Sequence, residues 1–131
     1  MMTDPIADLL TRIRNGIRIT RRKVDIPHSR IKEGVLGALQ REGFIEGFEV
    51  LDTLPGKTLR VSLKYSDNDD PAIRVIQRES KPGRRVYHRV DGMPKVLSGL
   101  GIGVYSTPKG ILTDKDCRKE RVGGEYLCSV Y

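Results

Sequence analysis

The sequence predicts an α+β protein of two small domains, residues 1–66 and 67–131, and three observations predict it. Apolar residues up to Leu39 recur at helical spacing, whereas Leu59, Val61, Leu63 and Tyr65 alternate with Arg60, Ser62 and Lys64 as in a strand. The run Ser66 to Pro71, with Asp67, Asn68, Asp69 and Asp70, is acidic and poor in apolar groups, which marks a boundary. Beyond it, Pro82-Gly83, Met93-Pro94 and Pro108-Lys109-Gly110 separate short β-like pieces containing Ile73, Val75, Ile76, Val86, Val90 and Val104. The first domain is expected to pack two helices on a short antiparallel sheet. The second is expected to be mostly β with one short helix.

Asp4 followed by Pro5 is a cap and first-turn signal, and Ile6, Leu9, Leu10 and Ile13 follow at helical spacing before Gly16 closes the pattern. That stripe faces a core, so Arg12 and Arg14 emerge in other directions, near a helix end whose dipole also favours cations. After an extended stretch from Val24 to Pro27, Ser29 caps a second helix. Its Ile31, Val35, Ala38 and Leu39 form one face, and Gly43 stops it. Gly34 and Gly37 cost that helix about 1 kcal/mol each relative to alanine, which predicts close packing against a neighbour. Phe44 to Leu51 and Leu59 to Tyr65 read as a hairpin around Pro55-Gly56. In the second domain Thr113 caps a short helix with Asp114 and Asp116 in its first turn and Arg118, Lys119 and Arg121 in its last. The final strand runs from Glu125 to Tyr131, and no internal repeat, heptad or low-complexity tract is visible.

Lys and Arg number 24 against 17 Asp and Glu, giving a formal charge of +7. A pI near 9.6 lies in the range of nucleic-acid-binding domains. Arg12, Arg14, Arg18, Arg21, Arg22 and Lys23 follow one another without an intervening carboxylate. In a second run, Arg74, Arg78, Lys81, Arg84, Arg85, Arg89 and Lys95, only Glu79 and Asp91 intervene. Each run can track a phosphate backbone or simply form a solvated face.

An enzyme lacks its signatures here. His28 and His88 stand in unrelated contexts and read as surface residues, and neither Gly-x-Ser-x-Gly nor His-Glu-x-x-His occurs. Gly99, Gly101 and Gly103 match neither phosphate-loop pattern, and are expected to permit tight turns or close strand packing. Cys117 and Cys128 lie far from zinc or redox spacing, so no metal or cofactor is expected, and both read as reduced, semi-buried fillers. Asp4 and Asp8 sit where a targeting peptide needs basic residues, and no apolar run approaches the roughly 20 residues of a membrane span. A soluble cytosolic protein with no membrane partner is expected.

The functional reading gathers at the turn Ser106-Thr107-Pro108-Lys109-Gly110. An A-form RNA helix displays 2′-hydroxyls and base edges in a shallow minor groove, which favours short polar groups and exposed backbone over a reading helix. Ser106, Thr107, Lys109 and Gly110 have that chemistry, as do Gly123, Gly124 and Glu125. Glu125 can accept from a base amino group, orient a neighbouring hydroxyl, or be an ordinary exposed strand residue. Tyr87 follows Ser80-Lys81-Pro82-Gly83-Arg84-Arg85, so Lys81, Arg84 and Arg85 can neutralise phosphates while the ring stacks on a splayed base. In a strand, however, a tyrosine is more often core.

At these residues the chain resembles the bacterial ribosomal protein S-eight family. The match includes Asp4-Pro5-Ile6-Ala7-Asp8, Leu10 to Asn15, Arg41 to Ile45, Ser80 to Gly83, Pro94-Lys95-Val96, Gly99 to Ile102, Ser106-Thr107, Thr113-Asp114 and Gly123-Gly124-Glu125. The resemblance implies two α+β domains, the second contacting an irregular helix in the central domain of small-subunit ribosomal RNA through Tyr87, the 106–110 turn and Glu125. It also implies that Thr3, Asp4, Arg12, Arg14 and Asn15 touch an adjoining helix, and that the fifth and twelfth small-subunit proteins are neighbours. In some bacteria the family represses its own operon through a messenger that mimics the ribosomal site. Pro108 stands where the family often has a serine or another small residue, which puts one hydroxyl contact and one backbone donor in question.

The expected function is thus a non-enzymatic, primary ribosomal-RNA-binding protein that helps assemble the small-subunit platform. A helix-turn-helix DNA regulator is a rival, but Gly16 to Pro27 is too long for its turn. A nucleotide-binding enzyme using Gly99 to Gly103 is the other.

Overall fold

The structure, a computed structural model, describes residues 4–53 and 56–131. The expected turn residue Pro55 and the expected RNA contact Thr3 lie outside the described residues. Contacts divide the chain into two compact units, Pro5–Ile73 and Arg74–Tyr131, the latter including Asp4.

The first unit runs α1 (Pro5–Arg18), β1 (Lys23–Pro27), α2 (Arg30–Arg41), β2 (Ile45–Asp52) and β3 (Lys57–Leu63). Its antiparallel sheet has the order β1-β3-β2, so the stretch read as merely extended is a third strand, with Val24 opposite Val61 and Ile26 opposite Leu59. Ile6, Leu9, Leu10 and Ile13 of α1 and Val35, Leu36, Ala38 and Leu39 of α2 are buried, as are Val24, Ile26, Leu59, Val61 and Leu63 of the sheet. Each large aliphatic side chain so enclosed contributes about 1.5–3 kcal/mol. The Ser29 hydroxyl caps α2 by accepting the Lys32 N–H at 3.3 Å, and Gly43 at φ +78° ends the helix in the left-handed region.

Two expectations about glycine are corrected. Helix α1 does not stop at Gly16 but continues to Arg18, and a Cβ at Gly16 would lie 2.6 Å from Val24 Cγ2. Glycine is there so that β1 can approach. A Cβ at Gly37 would meet only the Arg41 guanidinium of its own helix, at 3.4 Å, so the close packing predicted around α2 is not found at that position.

The second unit runs β4 (Ile76–Arg78), β5 (Tyr87–His88), β6 (Ile102–Thr107), β7 (Gly110–Thr113), α3 (Asp114–Glu120) and β8 (Gly124–Val130), with 3-10 turns at Val90–Gly92 and Val96–Gly99. The sheet order is β4-β8-β6-β7, and β5 also pairs with β8. Val90 therefore lies in a turn rather than a strand. Thr113 caps α3 by accepting the Asp116 N–H at 3.1 Å. A bulge between Val104 and Tyr105 brings Tyr105 opposite Tyr126, and their rings stack at 4.8 Å and 8°.

Cys117 and Cys128 are free and wholly buried, more deeply than expected, and burial pushes their thiols up to about 11 and about 12. The histidines are half-buried rather than superficial: His28 Nε2 lies 2.8 Å from Glu33, and the His88 ring centroid is 5.3 Å from that of Tyr126. A Cβ on Gly101 would lie 2.5 Å from the Val130 carbonyl oxygen, in keeping with close strand packing.

Candidate nucleic-acid interface

Strand β8 is the axis of the candidate site because it pairs with both β5 and β6 at the same end. Tyr87 stands opposite Glu125, and Glu125 opposite Ser106, so residues separated by 38 or 19 positions in sequence form one row across three strands. The next register position holds His88 opposite Gly124. Both glycines are required by approach. A Cβ on Gly123 would lie 2.5 Å from the His88 carbonyl oxygen, and one on Gly124 would collide with that of Ser106.

The turn joining β6 to β7 closes on itself. The Thr107 hydroxyl donates to the Gly110 carbonyl at 2.7 Å and accepts the Lys109 N–H at 3.1 Å, holding exposed Pro108 between them. Gly110 adopts φ +107° with open space where a Cβ would be. Thr107 thus shapes the turn, while the Ser106 hydroxyl makes no hydrogen bond among the described residues. Lys109 is half solvent-exposed and pairs with Glu120 at 3.3 Å.

Glu125 is neither an isolated acceptor nor an ordinary exposed residue. Its Oε2 accepts from the Ser80 hydroxyl at 2.7 Å and from Arg85 at 2.9 Å. Ser80 is wholly buried and also accepts the Val86 N–H at 3.0 Å, so Glu125 orients a hydroxyl and ties the basic loop to β8. Sequence reasoning quoted Ser80 without giving it a role, because a serine reveals nothing of a carboxylate 45 residues away. Lys81 and Arg84 exchange backbone hydrogen bonds across Pro82-Gly83, which projects both exposed side chains. Tyr87 is 64% exposed, which rules out the core reading and leaves the ring face available.

The remaining expected residues form other groups. Asp4 pairs with Arg78 at 3.0 Å, and Arg78 also donates to the Leu127 carbonyl. Arg12, Arg14 and Asn15 lie on α1. Arg12 donates to Asp8 at 3.0 Å and to the Asp25 carbonyl at 3.3 Å. Arg12 and Asn15 border a depression of about 470 Å³ that Arg21, Lys23 and Arg60 also line. Arg60 clasps Asp25 through two hydrogen bonds, at 2.8 and 3.0 Å, and holds that carboxyl below its usual range. Among the described residues no group of three His, Cys, Asp or Glu could hold a metal ion, and no helix is long and apolar enough to cross a membrane.

Comparison with known proteins identifies the family of the chain. A family model described as Ribosomal protein S8 matches residues 4–131. Similar relatives include small ribosomal subunit protein uS8 of Geotalea uraniireducens, 54% identical over 130 residues that cover 99% of this chain and 98% of that protein. The protein of the same name from Rhodopirellula baltica is 52% identical over 132 residues, covering 99% of each. That of Finegoldia magna is 50% identical over the whole of both chains.

Proposed function

The chain belongs to the Ribosomal protein S8 family, and from that premise we propose that it binds the central domain of small-subunit ribosomal RNA and fixes the geometry of a helical junction during platform assembly. It is a non-enzymatic constituent of the small ribosomal subunit and works in the cytoplasm with that particle.

The observation that carries the RNA reading is the row Tyr87–Glu125–Ser106 beside a self-closed turn. An exposed ring, a hydroxyl without an internal partner and close-set backbone suit a shallow minor groove and one unstacked base. Exposed Lys81 and Arg84 at the loop tip supply phosphate contacts that set affinity without reading sequence. On α1, Arg12, Arg14 and Asn15 offer a second, backbone-directed surface. Proteins of the fifth and twelfth small-subunit families are the proposed neighbours. A messenger folded into the same groove shape would be held by the same row, which is the basis for autoregulation.

The test is titration with a central-domain RNA fragment and an equal-length random duplex at several salt concentrations. Ser106→Ala should weaken cognate binding about tenfold, the worth of a well-placed hydrogen bond, and leave random-duplex binding unchanged. Equal losses on both RNAs would sink the division between shape reading and charge. A cognate-to-random ratio near one for the unaltered protein would remove the RNA reading altogether.

A further inference from the structure

We propose that the open edge of β2 receives an extended, lysine- or arginine-rich segment of a neighbouring protein as an added strand. At eight residues β2 is the longest strand among the described residues, yet it stands last in the order β1-β3-β2. Alternate residues of such an edge turn their N–H and C=O groups outward. Proteins usually blunt an edge of this kind by shortening it, by placing proline or lysine on it, or by a bulge. Strand β2 has neither residue, and its bulge lies at its start, between Ile45 and Gly47, leaving Phe48–Asp52 in regular register. Its apolar surface also continues to the lip. Phe48 and Val50 stand opposite the buried Val61 and Leu59, but Phe48 is only half-buried and Val50 is 42% exposed. An added strand would cover both.

Charge selects the occupant. In a chain of net +7, no lysine or arginine occurs between Arg41 and Lys57, where Glu42, Glu46, Glu49 and Asp52 lie. Glu46, Glu49 and Asp52 are exposed and make no ion pair within 4 Å among the described residues, whereas Asp8, Asp25 and Asp69 of the same unit each pair closely with an arginine. Glu49 and Asp52 stand opposite Arg60 and Lys57 of β3, but Arg60 is engaged by Asp25. RNA is repelled by this edge. A second copy would set carboxylates opposite carboxylates, which disfavours self-pairing. A basic extended segment satisfies the backbone, covers Phe48 and Val50, and neutralises the carboxylates together.

The isotope-labelled full chain can be titrated with an octapeptide of alternating lysine and valine, blocked at both ends. Saturable shifts confined to β2 and its neighbours on β3 are expected, about tenfold weaker with the glutamate–valine counterpart or with a peptide N-methylated at alternate positions. Reversing the charges in E46K/E49K/D52K should reduce lysine-peptide affinity by a similar factor. The comparison of peptides on the unaltered chain decides the matter even if that variant folds poorly. Absence of saturation below millimolar, equal binding of the acidic peptide, dimerisation through β2 in sedimentation, or shifts of the same amides by the RNA fragment would overturn the proposal.

Discussion

The two units place polar groups differently. In Pro5–Ile73 the buried apolar residues are aliphatic, the arginine–carboxylate pairs are at least partly exposed, and the buried polar side chain among the described residues is Lys32, which donates to the Pro27 carbonyl at 3.0 Å. In Arg74–Tyr131 polar groups go inside: Ser80, Thr113, Asp114 and Ser129 are buried, and two tyrosines stack within. Exposed pairs can be rearranged at little cost, whereas buried ones fix geometry because losing a partner costs a desolvation penalty. The lesson is that the unit proposed to read RNA shape adds several buried polar groups to its apolar core, while the unit proposed to grip phosphates adds only one, Lys32, among the described residues.

The largest expected effect tests that contrast directly. Asp114 is 1% exposed, accepts the Gly103 N–H at 3.1 Å and pairs with Arg118 at 3.0 Å. Asp114→Ala should cost about 3 kcal/mol in urea unfolding, because the buried Gly103 N–H loses the carboxylate that accepts it and Arg118 loses its partner. A cost below about 1 kcal/mol would make the interior polarity of the second unit incidental.

Alkali should separate the units next. Burial raises the Cys117 and Cys128 thiols from 9.0 to about 11 and about 12, and the Tyr126 hydroxyl from 10.0 to about 12. These groups hold their protons longer when folded, so their contribution is intact below pH 9 and falls as pH rises from there toward 12. Methyl spectra should lose Val104 and Leu127 before Ile13 and Leu36. Simultaneous loss would break the comparison.

A smaller effect divides two adjacent hydroxyls. Thr107→Ala should cost about 1 kcal/mol by opening the 106–110 turn, whereas Ser106→Ala should stay within about 0.5 kcal/mol of the parent. Calorimetry on both variants measures the difference. The smallest stability effect is expected for Arg12→Ala, whose exposed pair with Asp8 is worth about 0.3–0.5 kcal/mol. If Arg12 grips one phosphate, its loss should also flatten the salt dependence of RNA binding by about 0.9 in slope.

Local signals carried much of this architecture. Asp4-Pro5, Ser29 and Thr113 announced helix starts through chemistry confined to one turn, and the alternation from Leu59 to Leu63 announced a strand. The pairing of β1 beside β3 was not legible, since register depends on a partner 37 residues away. The site divides the same way. Residue types at Ser106, Thr107 and Glu125 were readable, but the grip of Ser80 and Arg85 on Glu125 spans 45 and 40 positions. The exposure of Tyr87 likewise follows from the pairing of the two-residue β5 with β8, where Tyr87 stands opposite Glu125, 38 positions further along the chain.

The bulge in β6–β8 sets the parity of the second sheet. From Val104–Cys128 to Tyr105–Tyr126, β8 advances two residues while β6 advances one, leaving Leu127 as the odd residue. Side chains alternate faces with every step, so this one residue decides which face the far end of β8 presents. Were Leu127 to pair opposite Tyr105 instead of being passed over, Tyr126 would fall opposite Ser106, every earlier residue of β8 would change face, and the Glu125 carboxylate would turn away from Ser80. One unpaired residue within β8 is thus as much a determinant of the proposed interface as any functional group in it.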